Sequence, residues 1–385
     1  MKLGEWHVLL ALYLCLFPLV ILNFYKARFR HAGWQCGSRL SVLVILLLLT
    51  MRPVQAEDTL PPSYQWGRGY HIPAYHLTLG GYTKASYSSF KDGVQQAGLE
   101  DLSLFISWNP FSRLRLFSEL ELEDLFTLGG GASFTDAFKV ERLYADFLIN
   151  HEFKLRFGKT LTPFSRWNIL HAAPLVWTSS RPMITKGNVV PQHSTGLSVF
   201  YNSSLFEHDF NVTLFADDSA DLELTKDEYE FNYAFGGRVN YQLSRDLNIG
   251  SSFVAAQIDV QNGVDWQHTL GIDFLWQKNQ FELQLESFFN LAPNYNTHNH
   301  YGLYLQGVVP LFEQIFAVGR YEYMHGNKNN HAVYERSQAV PIHVGVVGLA
   351  WRPAPPLVLK VEYRFGKNNQ FNAPSGVLTS IAMFF

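Results

Sequence analysis

Six cations and no acid occupy the stretch from Phe153 to Phe206: Lys154, Arg156, Lys159, Arg166, Arg181 and Lys186. The chain as a whole holds 30 Lys and Arg against 33 Asp and Glu in 385 residues, so composition alone does not explain a stretch free of carboxylates. Fixed charge of one sign beside low-dielectric walls enriches its counter-ions. Rings of Arg and Lys lining a passage favour anions. Opposing charge is present elsewhere: Glu119, Glu121 and Glu123 lie close together, and Asp217, Asp218, Asp221, Glu223, Asp227 and Glu228 form an acidic run. Two readings stand. Either the cations form an anion-preferring constriction, or loop and wall charges pair off and leave a weakly selective one.

Other chemistries find little support. Most histidines, among them His171, His193, His298, His300, His325 and His331, fall where connecting loops are expected, and none has a Ser at a spacing that suggests a nucleophile and its base. The pair His298-x-His300 lacks the further ligands that a metal needs. Both cysteines, Cys15 and Cys36, precede residue 57, which excludes a thiolate metal site or a disulfide framework beyond it. Neither an enzyme nor any cofactor is implied.

The elements that must hold these charges are strands. Beyond residue 75 the pattern has period two. In Arg113–Glu123, Leu114, Leu116, Leu120 and Leu122 share one face, while Arg113, Arg115, Glu119, Glu121 and Glu123 share the other. Sixteen such segments run from 75–87 to 376–385. Short connections are expected at Asn109-Pro110, Asn150-His151, Ser203-Ser204, Ser244-Arg245, Lys278-Asn279, Pro310-Leu311 and Pro353–Pro356, alternating with eight longer, polar ones. This regularity predicts an all-β protein, a transmembrane antiparallel β-barrel of about 16 strands with short turns at one end and loops at the other. Parity places Arg142, Tyr144, Asp146, Arg238, Arg320, Glu322, Lys360, Glu362 and Arg364 inward. A barrel of this size leaves an aqueous channel unless something fills it, so passive diffusion of small hydrophilic solutes is expected, with a channel specific for sugars or organic acids, or a closed barrel serving as adhesin or scaffold, as the alternatives. Residues 160–193 are the longest connection and the expected constriction, with Trp167 and Trp177 as a stacking platform or as packing. Trp108, Trp276, Trp351 and Tyr363 fall near strand ends, where an interfacial aromatic belt would lie.

The N-terminus supplies the compartment. Val8–Tyr25 is apolar, a basic stretch with Lys26, Arg28, Arg30 and Arg39 follows, and the run Leu40–Leu49 leads to Val54-Gln55-Ala56. That is the order of a secretory signal peptide cut after Ala56. The expected organisation is a leader at 1–56, including a start site placed too far upstream, a short periplasmic segment at 57–74, and the barrel at 75–385. Residues 1–56 hold six of the Lys and Arg and one acid, so without them the net charge falls from −3 to −8. Such a balance gives no support for nucleic-acid binding.

Two segments carry a family resemblance. Leu155–Leu175 resembles the corresponding segment of porins akin to the phosphate-selective family, where a strand ending in Arg-x-Gly-Lys enters a Pro-Phe turn. Here these residues are Arg156, Gly158, Lys159, Pro163 and Phe164. The terminal strand, ending on Phe385 with Val377, Thr379, Ile381 and Met383 on the same face, is similar to the assembly signature of bacterial outer-membrane proteins. The resemblance implies a third loop folded into the barrel and a homotrimer in the bacterial outer membrane. Its partners would be membrane lipid and lipopolysaccharide, the barrel assembly machinery and small hydrophilic solutes. General porins set an acidic loop against a basic wall, and this sequence departs from that plan. The expected pore residues are Arg156, Lys159, Arg166, Arg181, Lys186, Arg113, Arg115, Arg142, Glu119, Glu121, Arg320 and Arg364, with Phe385 as the assembly signal.

Overall fold

A computed structural model describes residues 61–91, 93–128, 137–185, 190–217, 231–260, 263–291, 300–326, 340–367 and 374–385. A small hairpin of β1 (Ser63–Gln65) and β2 (Gly69–Ile72) leads through a 3-10 turn at Pro73–Tyr75 into sixteen longer strands. These are β3 (Leu77–Phe90), β4 (Gln95–Phe111), β5 (Leu114–Thr127), β6 (Phe138–Leu148), β7 (Phe153–Leu161), β8 (His193–Leu205), β9 (His208–Asp217) and β10 (Phe231–Ser244). They continue as β11 (Leu247–Val260), β12 (Gly263–Lys278), β13 (Phe281–Leu291), β14 (His300–Phe312), β15 (Ile315–Gly326), β16 (Val340–Ala354), β17 (Leu357–Lys367) and β18 (Gly376–Phe384). Each pairs antiparallel with its sequence neighbours, and β18 returns to β3 with Gly376 opposite Phe90 and Phe384 opposite Tyr82. The sheet is a closed sixteen-stranded barrel, and every strand expected from the sequence is present.

Period-two patterning divides the barrel wall cleanly. Along β15 to β17 the outward Tyr321, Val347, Leu349, Val361 and Phe365 are exposed, whereas the inward Arg320, Glu322, Lys360, Glu362 and Arg364 are buried. Apolar surface on this scale needs lipid to cover it, and a backbone can meet lipid in a sheet only where the sheet has no open edge.

Three expected turns are corrected. Asn109-Pro110 lies inside β4, Ser203-Ser204 inside β8 and Pro310 inside β14; the reversals fall at Ser112-Arg113, Phe206-Glu207 and Glu313-Gln314. Proline has no ladder donor, and both prolines sit beside register shifts, between Trp108 and Phe111 and between Pro310 and Phe312, where that loss is tolerated. Phe206-Glu207 turns with both residues at positive φ (53° and 64°), a geometry that sequence composition does not announce. Two of the eight connections expected to be long, β3 to β4 and β11 to β12, are short because their strands run on to 90 and 95 and to 260 and 263.

At the seam the Phe385 amide donates to the Gly81 carbonyl at 3.0 Å, and the Phe385 carbonyl accepts from the Gly81 amide at 3.2 Å. A Cβ on Gly81 would stand 2.7 Å from the Phe385 ring, so the close approach of the terminal aromatic requires glycine there.

Candidate pore and constriction loop

Residues 162–192 connect β7 to β8, and their described part, 162–185 and 190–192, folds into the barrel, where it meets chiefly the wall from β11 to β18. Apolar residues of the loop are seated first. Phe164, Met183 and Ile184 join Phe215, Val254, Phe288, Tyr304, Met324 and Val344 in one buried cluster. A Cβ on Gly271 would meet the Phe164 ring at 2.8 Å, so that glycine makes room for the loop's Pro-Phe corner. Ala173 is buried in a second cluster with Val308, Phe316, Val318 and Val358, against which Trp177 packs. Full burial of a large apolar side chain is worth roughly 1.5–3 kcal/mol, so these contacts fix the loop's place.

Hydrogen bonds then fix its register. Three inward glutamates on β13, β15 and β17 accept from loop amides: Glu286 from Trp167 (2.9 Å), Glu322 from Met183 (2.5 Å), and Glu362 from Ser179 and Ser180 (2.8 and 2.9 Å). The wall also donates. Arg320 reaches the Thr178 hydroxyl and the Ser180 carbonyl, and Lys360 reaches the carbonyls of Ala173 (2.7 Å) and Thr178 (3.2 Å). A carboxylate in the loop would face these buried carboxylates at close range. The absence of Asp and Glu from the loop therefore suits the acidic wall on which it docks, as well as any solute.

On the near side the loop is held by a cluster that sequence order conceals. Between β5 and β6 the register slips after Glu119, so Arg142 and Val140 are paired and Glu141 is the extra, bulged residue. Its buried carboxylate stands 3.3 Å from His171 Nε2 of the loop and 3.0 Å from His193 Nε2 at the start of β8, at ion-pair distance. His171 Nδ1 lies 3.0 Å from the Asn168 carbonyl. Strict alternation hides a bulge; the signal available was the adjacent pair Glu141-Arg142, two charges in a row where one should face lipid.

The wall of β5 to β8 is open to the lumen in part, at Arg142, Lys154 and Arg156, whereas Tyr82 on β3 is buried in the cluster that holds loop Ala173, and Glu119, Glu121 and Lys159 are buried as well. Arg156 makes two hydrogen bonds to Asp146 (2.6 and 2.9 Å) and lies 3.6 Å from the centre of the Tyr144 ring. Lys154 shares Asp146 at 3.1 Å, and the exposed Arg115 stands opposite Asp146 in the register. Arg142 pairs with Glu119 and lies over the Phe117 ring at 5.0 Å. Glu121 is buried and accepts from Tyr82 and Ser103, both at 3.1 Å.

The remaining expected residues are distributed as follows. Arg166 approaches Asp273 at 3.9 Å, and Arg181 donates to Thr185 (3.0 Å) and Gln192 (3.4 Å). Burial pulls the Arg181 guanidinium below its ordinary pKa, though arginine keeps its charge at that range. Lys159 is wholly buried in β7, and Arg320 and Arg364 are buried in the far wall. Arg113 is exposed on the β4–β5 turn. Lys186, His298, His331, the acidic run 218–228 and the leader lie outside the described residues. Trp177 packs at a tilt on Phe316 (ring centres 4.9 Å apart) under Arg352, and Trp167 is buried, so both indoles pack the loop.

No family model matches the chain. The outer-membrane channel DcaP of Acinetobacter baumannii superposes with a TM-score of 0.58 at 12% identity, covering 83% of this chain and all of that one. The fold is a porin fold. An anion-selective porin from Comamonas acidovorans also aligns, with a TM-score of 0.55 at 13% identity over 80% of this chain and 99% of its own. By sequence, an uncharacterised protein of Aquifex aeolicus is 22% identical over 361 residues, 81% of this chain and 82% of that protein. A porin-fold barrel with an even strand number and an apolar outer face is placed in the bacterial outer membrane.

Proposed function

We propose that this porin-type barrel is a water-filled channel for passive diffusion of small hydrophilic solutes, with a mild anion preference. One observation supports it above the others: the inward loop is docked chiefly on the β11–β18 wall and leaves part of the β5–β8 wall facing the lumen, where Lys154 and Arg156 both pair with one carboxylate, Asp146, and the exposed Arg115 stands opposite it in the register. Fixed positive charge that is not matched locally enriches anions. The proposal includes export by a signal peptide cut after Ala56, recognition of the Phe385 strand by the assembly machinery, a surround of lipid and lipopolysaccharide, and a homotrimer, as the resemblance to porins implies.

The test is single-channel current in a planar bilayer, using protein refolded without residues 1–56, with the reversal potential measured across a salt gradient. Discrete steps reversing toward the anion are expected. Reversal toward the cation would keep the channel and remove the anion preference. Silence from a folded, heat-modifiable barrel would leave a scaffold or adhesin.

A further inference from the structure

The wall carries an unbroken row of inward rings. Phe384, Tyr82, Phe105, Phe117 and Tyr144 follow one another across β18, β3, β4, β5 and β6, with ring centres 6.1, 5.8, 5.8 and 5.3 Å apart. Arg156 continues the row, 3.6 Å from the Tyr144 ring and 5.0 Å from Phe200 on β8, and Lys154 stands 4.0 Å from the Phe200 ring. Register confirms the facing: Phe105 lies opposite Glu119, Phe117 opposite Tyr144, and Lys154 opposite Phe200.

Tyr82 is buried in the cluster that holds loop Ala173, with Phe384 and Phe105 packed against it, whereas the rest of the row is not buried core. Phe105, Phe117, Tyr144 and Phe200 are half-buried in a wall that lipid does not reach. Side-chain exposure of Arg142, Lys154 and Arg156 is 25%, 22% and 15%, against 0% for Arg320 and 9% for Arg238 on the loop-covered wall. A channel that passes only hydrated ions gains nothing from rings in its lumen, since exposed apolar surface costs free energy there. Rings beside cations serve a solute with a flat apolar body and a negative group. The body stacks on ring and guanidinium faces, and the anion meets ammonium and guanidinium donors. Asp146 accepts one hydrogen bond from Lys154, an ammonium that carries three donors and keeps part of its surface exposed.

We propose that the Tyr144–Arg156–Phe200 segment, with Lys154 and Arg115, is a binding strip for aromatic carboxylates, and that these are the solutes the channel favours. The inference rests on the channel reading above, and the experiment separates the two. Single-channel current in chloride is recorded while benzoate, cyclohexanecarboxylate or acetate is added to one side, and the half-blocking concentration of each is read.

Benzoate is expected to block at about tenfold lower concentration than acetate, the factor that one stacked aromatic contact supplies. Cyclohexanecarboxylate, apolar but not flat, should fall between. Phe200→Leu should bring benzoate to within about threefold of acetate. Arg156→Lys keeps the charge, loses the planar surface, and should act in the same direction. A conducting channel that benzoate and acetate block equally overturns the strip and leaves the porin. Equal loss of benzoate and acetate block in Phe200→Leu also overturns it, because the ring would then act through the wall's shape. A folded barrel that never conducts overturns both.

Discussion

The two halves of the barrel wall are written in the same letters and put to opposite uses. On β13, β15 and β17 the inward glutamates are buried against loop amides, and Arg320 and Lys360 are spent on loop hydroxyls and carbonyls. On β5 to β7 the inward Arg142, Lys154 and Arg156 pair with Glu119 and Asp146 across strands and keep part of their own surface in the lumen. Charge type and parity are shared, so neither predicts role. What decides is whether loop 162–192 lies over the residue. Where the loop lands, Glu286, Glu322, Glu362, Arg320 and Lys360 are its mortises; elsewhere Arg142, Lys154 and Arg156 line the lumen, while Glu119, Glu121 and Lys159 are buried there as well.

The largest effect is expected from undoing the landing. Glu286→Ala, Glu322→Ala and Glu362→Ala combined should unseat the loop, each orphaning buried amides at about 1–3 kcal/mol. Single-channel conductance should rise, and a cysteine placed at Thr178 should become reactive to a water-soluble thiol reagent. If Thr178→Cys stays protected and conductance is unchanged, the apolar seats of Phe164 and Ile184 hold the loop alone. Next comes the near-side clasp. Glu141→Gln removes the charge between His171 and His193 and should weaken seating by about 1–3 kcal/mol, seen as added open-channel noise without loss of the barrel.

Neutralising the open wall is a smaller change. Arg115→Gln and Lys154→Gln should each lower the anion-to-cation permeability ratio by about five- to sixfold, because a unit charge roughly 8 Å away in water changes anion and cation partition by about 2.4-fold in opposite directions. The smallest selectivity change is expected for Arg364→Gln, because Arg364 is buried, donates to the Pro374 carbonyl at 2.9 Å and lies over Phe90. A reversal-potential shift at Arg364 as large as that at Lys154 would erase the distinction between the halves.

Strand number, inward parity and the inward loop were legible in the sequence, because a lipid-facing wall forces period-two alternation at every strand and long connections stand out. Local departures from that period were not. Glu141 sits on a bulge that alternation cannot register, and Pro110 and Pro310 read as turn residues although register slips let them stay within strands. The acid-free stretch was visible, but its partners were not: Glu286, Glu322 and Glu362 lie more than a hundred residues away in sequence from the amides they accept. Burial of Lys159 was equally hidden, since nothing in Arg156–Lys159 separates a lining cation from an enclosed one.

The seam where Phe385 meets Gly81 has a consequence for how the molecule is made. Thr379 on β18 bonds to Tyr87 on β3 across 292 positions of chain. Joining ends that far apart costs on the order of 5 kcal/mol in chain entropy, and no local turn offsets any of it. Before that joining, β3 and β18 are two ragged edges whose amides have no partner in lipid; after it there are none. Fifteen strand pairs thus form an open ribbon with nowhere stable to reside, and the sixteenth turns the ribbon into a membrane protein. Closure of the wall and its residence in lipid therefore depend on one and the same contact, β18 against β3.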